Sequence, residues 1–303
     1  MPVLLQLIVN HGSSNRVWQK ESRRWKWRHL FAMVIACLAA MPSSHAQTRA
    51  VEDDQDLINW YYAATFGTGI YSAGDRTVGV LKIPLSRTLR EAGEDQWGLR
   101  LILPVTVGIY DFDFDSIVED GLPTRVNTLS FVPGLEFEKY IVPRWLLKPY
   151  VSAGGGWDLD GEESAVIYDA GLRSRFRMGE HKDIALSLVN RLSVAGYYPS
   201  GGHHEPLSMF AIGVDIELPF GGALFGRSFN LSILPIYYYY FRRMRFAEID
   251  DADNRIREES ELAFSVLAKK PFKVLGMNVD RIGLAFRTGD NVKGIRVFTT
   301  LPF

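Results

Sequence analysis

WGLRLILPVTVGIY, residues 97–110, alternates along its whole length. Trp97, Leu99, Leu101, Leu103, Val105, Val107 and Ile109 take one parity; Gly98, Arg100, Thr106 and Gly108 take the other. Successive side chains of a strand point to opposite faces, so this stretch reads as a strand with one apolar and one mixed face. Leu129, Phe131, Pro133, Leu135 and Phe137 repeat the pattern against Ser130, Gly134, Glu136 and Glu138. So do Phe210, Ile212, Val214, Ile216 and Leu218 against Gly213, Asp215 and Glu217, and Leu262, Phe264, Val266 and Ala268 against Glu261, Ser265 and Lys269.

The same reading carried along the chain predicts twelve strands, near 60–70, 76–86, 97–110, 127–139, 144–157, 164–177, 183–196, 206–219, 228–242, 259–269, 280–288 and 294–303. Most are about 9 to 14 residues, longer than soluble strands and suited to a tilted membrane strand. The charges sharpen the choice. If the apolar set faces outward, Arg76, Lys82, Arg100, Glu136, Glu138, Lys148, Asp169, Arg173, Arg175, Asp215, Glu217, Arg242, Glu261, Lys269, Arg281, Arg287 and Arg296 all face inward. Lys139 takes the outer parity but closes its strand, where a charge costs little. A charge facing lipid at midplane costs about 2–4 kcal/mol, whereas a polar interior is what a transmembrane barrel contains. Trp97, Tyr110, Tyr140, Trp145, Trp157, Tyr197 and Tyr198 fall near strand ends, as interfacial girdles do. The expected fold is therefore all-β, a transmembrane antiparallel up-and-down β-barrel of twelve strands.

With residue 57 on the inner side, the two longest connections, 111–126 and 243–258, share one side of the membrane and are acidic. On the opposite side, 87–96 and 270–279 are long for periplasmic turns. The first element has two readings. LINWYYAATFGTGIY, 57–71, makes a strand with Trp60, Tyr62, Phe66 and Ile70 outward, or Asp53 or Asp54 caps a short lumenal helix through about residue 66. The strand is favoured, because an even count follows.

Ahead of all this, RRWKWR at 23–28 and the apolar run LFAMVIACLAA precede Ser44-His45-Ala46, which reads as an export signal cleaved between Ala46 and Gln47. Residues 1–46 are then an extension and signal, and 47–303 the barrel domain. The run is too short for the roughly 20 residues of a spanning helix. Cys37, the single cysteine, goes with the signal unless Val34-Ile35-Ala36-Cys37 serves as a lipobox. Removal takes six Lys/Arg and one Glu, leaving 28 basic and 34 acidic residues, a balance that argues against a nucleic-acid partner.

Chemistry-bearing motifs are sparse. His203, His204, Glu205 and Ser208 sit in or beside an outside loop, the place for a lipid- or peptide-cleaving site. Adjacent histidines point apart on an extended chain, and a polar loop explains them as well. DFDFDSIVED at 111–120 and AEIDDADN at 247–254 gather carboxylates without the ligand order of a calcium loop. No metal or other cofactor is expected. YVSAGGGW, 150–157, reads as a strand that lets side chains or a loop approach closely inside the barrel. The inward set, eleven basic and six acidic, suits salt-bridge ladders filling the lumen or an anion-preferring pore.

GIRVFTTLPF, 294–303, alternates up to its final aromatic. Such an ending resembles the C-terminal signal of bacterial outer-membrane barrels, which implies that Phe303 is read by the barrel-assembly machinery. With the twelve-strand count and GIYSAGDRTVGVLKIPLS at 69–86, it makes the chain similar to solitary autotransporter-type outer-membrane barrels. The resemblance implies a monomer of the Gram-negative outer membrane, in contact with its lipids and lipopolysaccharide, without catalytic activity. About ten residues separate Gln47 from the first strand, so no passenger is expected.

Overall fold

The computed structural model describes residues 60, 63, 65–73, 76–93, 95–110, 126–181, 183–200, 204–224, 227–245, 255–274, 277–290 and 292–302. Alternation becomes strand along nearly all of it: β1 (Gly69–Ala73), β2 (Arg76–Arg90), β3 (Gly98–Tyr110), β4 (Thr128–Phe131), β5 (Gly134–Val142), β6 (Trp145–Asp158), β7 (Ser164–His181), β8 (Ile184–Pro199), β9 (Glu205–Leu224), β10 (Arg227–Arg245), β11 (Arg255–Val274), β12 (Met277–Gly289) and β13 (Val292–Phe298). Pairing is antiparallel throughout, and β1 pairs with β13 from Gly69↔Arg296 to Ala73↔Val292, so the sheet closes on itself. β4 and β5 lie end to end between β3 and β6 as one interrupted stave. The protein is a closed up-and-down barrel of twelve staves, the count that alternation predicts.

Parity decides which side of the wall each residue takes. Leu81, Val151, Phe264, Leu284 and Ile295 are exposed on the outer wall, while Val80, Tyr150, Ala263, Ala285 and Arg296 beside them are buried within.

The broken stave follows from proline. Pro104 has no N–H to donate, and it faces the interruption at Val132–Pro133, where the β3–β4 ladder ends at Val105↔Phe131 and the β3–β5 ladder starts at Ile102↔Gly134. The displaced backbone lies over β6 at Gly154, where an added Cβ would run into the Phe131 carbonyl and Val132. The glycine run of β6 thus admits a close backbone approach, as its sequence predicts.

One end of the barrel is tightly turned. β5 and β6 are joined by residues 143–144, β7 and β8 by 182–183, β9 and β10 by 225–226, and β11 and β12 by 275–276, leaving only 91–97 longer at that end. The long turn expected at 270–279 is shorter than that, since β11 runs to Val274 and β12 starts at Met277. The expected strand 259–269 stops five residues short, since Lys270 and Pro271 through Val274 also lie in β11. Asp183 holds the left-handed conformation, φ 66°, that a two-residue hairpin demands. Asp183→Gly is expected to keep or raise stability and Asp183→Val to cost about 1–2 kcal/mol, read as the urea midpoint of the folded band.

Two expectations fail at the same place. Residues 60–70 do not form the first strand: Ala63 and Thr65 are helical, the Ala63 N–H donates to the Trp60 carbonyl at 3.2 Å, and β1 begins only at Gly69. The residues described there fit the lumenal-helix reading, with Trp60 seated in a notch at Gly156; Asp53 and Asp54 lie outside the described residues. The last strand likewise stops at Phe298, with Thr299 and Thr300 in a bend. Phe303, Ala46, Gln47 and the acidic stretches 111–120 and 247–254 lie outside the described residues.

Candidate functional site: the barrel lumen

Parity aims one side chain in two from every strand at the lumen, and the charged ones meet there in four groups. Nearest the tightly turned end, Glu138 of β5 accepts from Lys148 Nζ of β6 at 2.6 Å and lies 3.2 Å from Arg100 Nη2 of β3. Glu136 accepts from Arg173 of β7 and lies 3.6 Å from Lys148. The second group centres on Asp215 of β9, fully buried, which accepts from Ser232 Oγ and from Arg281 Nη2 at 3.1 Å. Arg175 stands 3.7 Å from Asp215 and donates to Glu217 at 2.6 Å. Arg281 reaches Asp215 from β12, so this pair crosses two intervening strands.

Toward the other end, Asp169 of β7 accepts from Arg191 Nη2 at 2.9 Å and from Tyr150 Oη at 3.0 Å, while Arg191 Nε donates to Tyr150 Oη at 2.9 Å. The Arg173 guanidinium lies 4.1 Å over the Tyr150 ring, which ties this group to the first. The fourth group is Glu259 with Tyr240 and Arg287, and Glu261 with Tyr238 and Arg296. Tyr240 Oη donates to Glu259 at 2.8 Å and accepts from Arg287 Nη2 at 3.1 Å.

Each of these seven carboxylates meets at least one cation. Net charge is neutralised locally, which is the arrangement of a wall held together by its filling. Arg191 and Glu259 belong to it although they were absent from the expected inward set. Both carry the inward parity of the predicted strands 183–196 and 259–269, so alternation alone was enough to find them. Arg242 is placed less deeply than the rest. It shares the inward parity of Tyr240 and lies exposed in the last residues of the β10 strand, beyond the last buried tyrosine. Arg76 and Lys269 are described by backbone only, in β2 and β11.

Into this lined space comes the chain ahead of β1. Trp60, Ala63 and Phe66 are buried, and a Cβ on Gly156 would collide with the Trp60 ring. Lys82 Nζ donates to the Ala63 carbonyl at 3.0 Å, holding the segment by its backbone. Phe66 stacks on Tyr71 with centroids 4.4 Å apart, and the Arg287 guanidinium lies 5.4 Å from the Phe66 ring. Tyr71 Oη donates to the Gly67 carbonyl at 3.1 Å. The segment crosses from the β6–β7 wall to the β1–β12 wall.

The histidine loop is built differently. His204 stacks on Tyr198 at 4.0 Å and 12°, and its Nε2 lies 2.6 Å from Tyr168 Oη, all on the outer wall. Ser208 is four residues further along, roughly 13 Å at 3.3 Å per residue, beyond hydrogen-bond reach. His203 is outside the described residues, and Glu205 is described by backbone only. Burial, reinforced by the Arg242 guanidinium, holds His204 below the usual imidazole range. The folded value thus lies beneath the unfolded one, so the neutral ring's contribution is complete above about pH 6.5 and fades as pH falls through the folded value. Acidification to about pH 5 is expected to loosen the Tyr168–His204 contact, seen as a tyrosine fluorescence change that His204→Gln abolishes.

No family model matches the chain, and no curated protein matches it. Among solved structures it is similar to the β domain of the Bordetella autotransporter BrkA, at 13% identity and a TM-score of 0.47, over 76% of this chain and 93% of that one.

Proposed function

We propose that this chain is an integral barrel of the Gram-negative outer membrane, resembling an autotransporter translocator, with a structural or pore-like role and a lumen sealed at rest. The observation that carries the reading is the outer wall. Apolar side chains such as Leu81, Val151, Phe264, Leu284 and Ile295 stand exposed around the barrel while the charges of the same strands are buried inside it. That sense is what a hydrocarbon surrounding selects and what water penalises. The filled lumen, with Trp60 and Phe66 seated in it, supports a closed resting state over an open anion pore.

The partners follow from the same surface: lipids and lipopolysaccharide along the outer wall, and the barrel-assembly machinery at the C-terminal residues. The barrel closes without a second copy and acts as a monomer. No catalytic role is assigned, since His204 is engaged by two tyrosines on the outer wall.

Cell fractionation followed by electrophoresis with and without boiling tests the proposal. Heat-modifiable mobility in the outer-membrane fraction, with no steady current in planar bilayers, is the expected result. A soluble periplasmic protein of unchanged mobility overturns it.

A further inference from the structure

At the end of the barrel away from the tight turns, the outer wall carries a feature that an apolar belt does not require. β8 and β9 pair up to Tyr197↔Glu205, which sets Tyr198 and His204 side by side on the outer face. Their rings stack at 4.0 Å and 12°. Tyr168 of β7 joins them, its centroid 5.8 Å from that of His204 and 6.1 Å from that of Tyr198. Gly196 makes this possible. It stands opposite Tyr168, and a Cβ there would collide with the Tyr168 ring, so only a residue without one lets that ring lie across β8. Three successive strands thus contribute to one plate of rings, and Tyr198, 52% exposed, is its open part.

A cation stands beside the plate. Arg242 lies in the irregular stretch of β10 between Tyr239 and Met244, where the β10–β11 register shifts and alternation no longer ties a side chain to the lumen. It is exposed, and its guanidinium is close enough to act electrostatically on both His204 and Tyr168. Among the described residues it has no ion-pair partner, unlike the arginines of the lumen. Arg257, another exposed cation on this side, is engaged: its Nε and Nη2 both donate to Tyr239 Oη, at 3.2 and 2.6 Å, and Glu258 lies beside it. A free guanidinium next to an apolar ring surface is suited to a phosphate, which it grips with two parallel N–H donors.

We propose that Arg242 and the plate of Tyr168, Tyr198 and His204 form a binding site for one lipopolysaccharide molecule, at the phosphorylated amino-sugar headgroup of its lipid A. The guanidinium holds the phosphate, and the open surface of Tyr198 takes the apolar face of the sugar. Charge complementarity selects the anion. The rings select the sugar, because a glycerophospholipid headgroup has the phosphate but no pyranose to lay on Tyr198. The height agrees, since with the short turns in the periplasm this end of the wall meets the leaflet that holds lipopolysaccharide. The proposal rests on the membrane-barrel reading and deepens it from a lipid-facing wall to one seat on that wall. The two fail differently: without a membrane barrel there is no heat-modifiable band, whereas failure here leaves that band intact.

Titration of lipid A onto the barrel purified from outer membranes in a zwitterionic detergent, read by native mass spectrometry, tests it. Each variant enters the comparison once its heat-modifiable band shows that it has folded. The expected result is a tightly held lipid A whose affinity falls about tenfold with Arg242→Gln and about tenfold with Tyr198→Ala. Arg87→Gln, which removes an exposed arginine at the tightly turned end, should leave it unchanged. Phosphatidylglycerol, which has the phosphate without the sugar, and lipid A stripped of its phosphates should each bind about tenfold more weakly than lipid A. Affinity unmoved by Arg242→Gln or by Tyr198→Ala overturns the site. Equal binding of phosphatidylglycerol and lipid A overturns the sugar as its ligand, and an equal loss with Arg87→Gln means that any charge on the barrel suffices and overturns the placement.

Discussion

Asp215→Ala is expected to cost the folded barrel about 3–5 kcal/mol, the largest loss of any single lumenal substitution. Removing the carboxylate leaves Arg281, 1% exposed, without its ion-pair partner, and takes the acceptor of the Ser232 hydroxyl with it. Glu217→Ala is the contrast, because its partner Arg175 is about one-third exposed and keeps water as an alternative; there the loss should be about 1 kcal/mol or less. Asp215→Leu combined with Arg281→Leu should recover most of the deficit, since an apolar pair of similar volume needs no counter-charge. The measurement is the urea concentration at which the heat-modifiable band is lost in vesicles. A loss at Asp215→Ala no larger than at Glu217→Ala would mean that water already solvates Arg281 and that the lumen is open at rest.

Phe264→Arg should cost about 2–4 kcal/mol, because its side chain stands in the middle of the outer wall, where hydrocarbon is proposed to lie. Phe264 pairs across the wall with Ile233 and Leu284, both apolar and on the same face, so no neighbouring carboxylate can receive the guanidinium. Ser260→Arg, four residues nearer the loop end on the same face, should cost about 1 kcal/mol or less, since a long side chain there reaches the interface. The difference between the two, measured in the same vesicles, maps the depth of the belt. Equal costs would mean that the outer wall does not meet lipid.

Most of the barrel was legible because alternation is a local property. Each strand from 76 onward announces its faces through its own residues, and the neighbours that complete it arrive by hairpin. Boundaries were harder, as after Lys269, where alternation weakens through Lys270 and Pro271 although β11 continues to Val274. The first and last segments were misplaced for another reason. Residues 60–70 and 299–303 carry the alternation of strands, but alternation states which faces would match, not whether a competing site binds better. The notch at Gly156 and the ammonium of Lys82 supply such a site, and neither is visible from the sequence of residues 60–70. The lumenal pairs were legible by parity and illegible by partner. Arg281 and Asp215 are 66 residues apart, and only the pairing and curvature of β9 to β12 bring them together.

Pro84 stands opposite Pro104, Pro104 faces the interruption at Val132–Pro133, and that interruption lies over Gly154. Four neighbouring staves therefore lose backbone donors, ladder continuity or side-chain bulk at about the same height, starting from β2. A wall thinned along one such row is a crease. If hydrocarbon surrounds the barrel as proposed, lateral pressure should flatten the cross-section about that line before it deforms the β7–β12 arc, whose ladders carry separate local bulges and a gap at Leu234–Pro235 but no such aligned row. Amide exchange in β2, β3 and β5 should then outrun that in β8 and β11, and the barrel would behave mechanically as a stiff shell with one compliant seam.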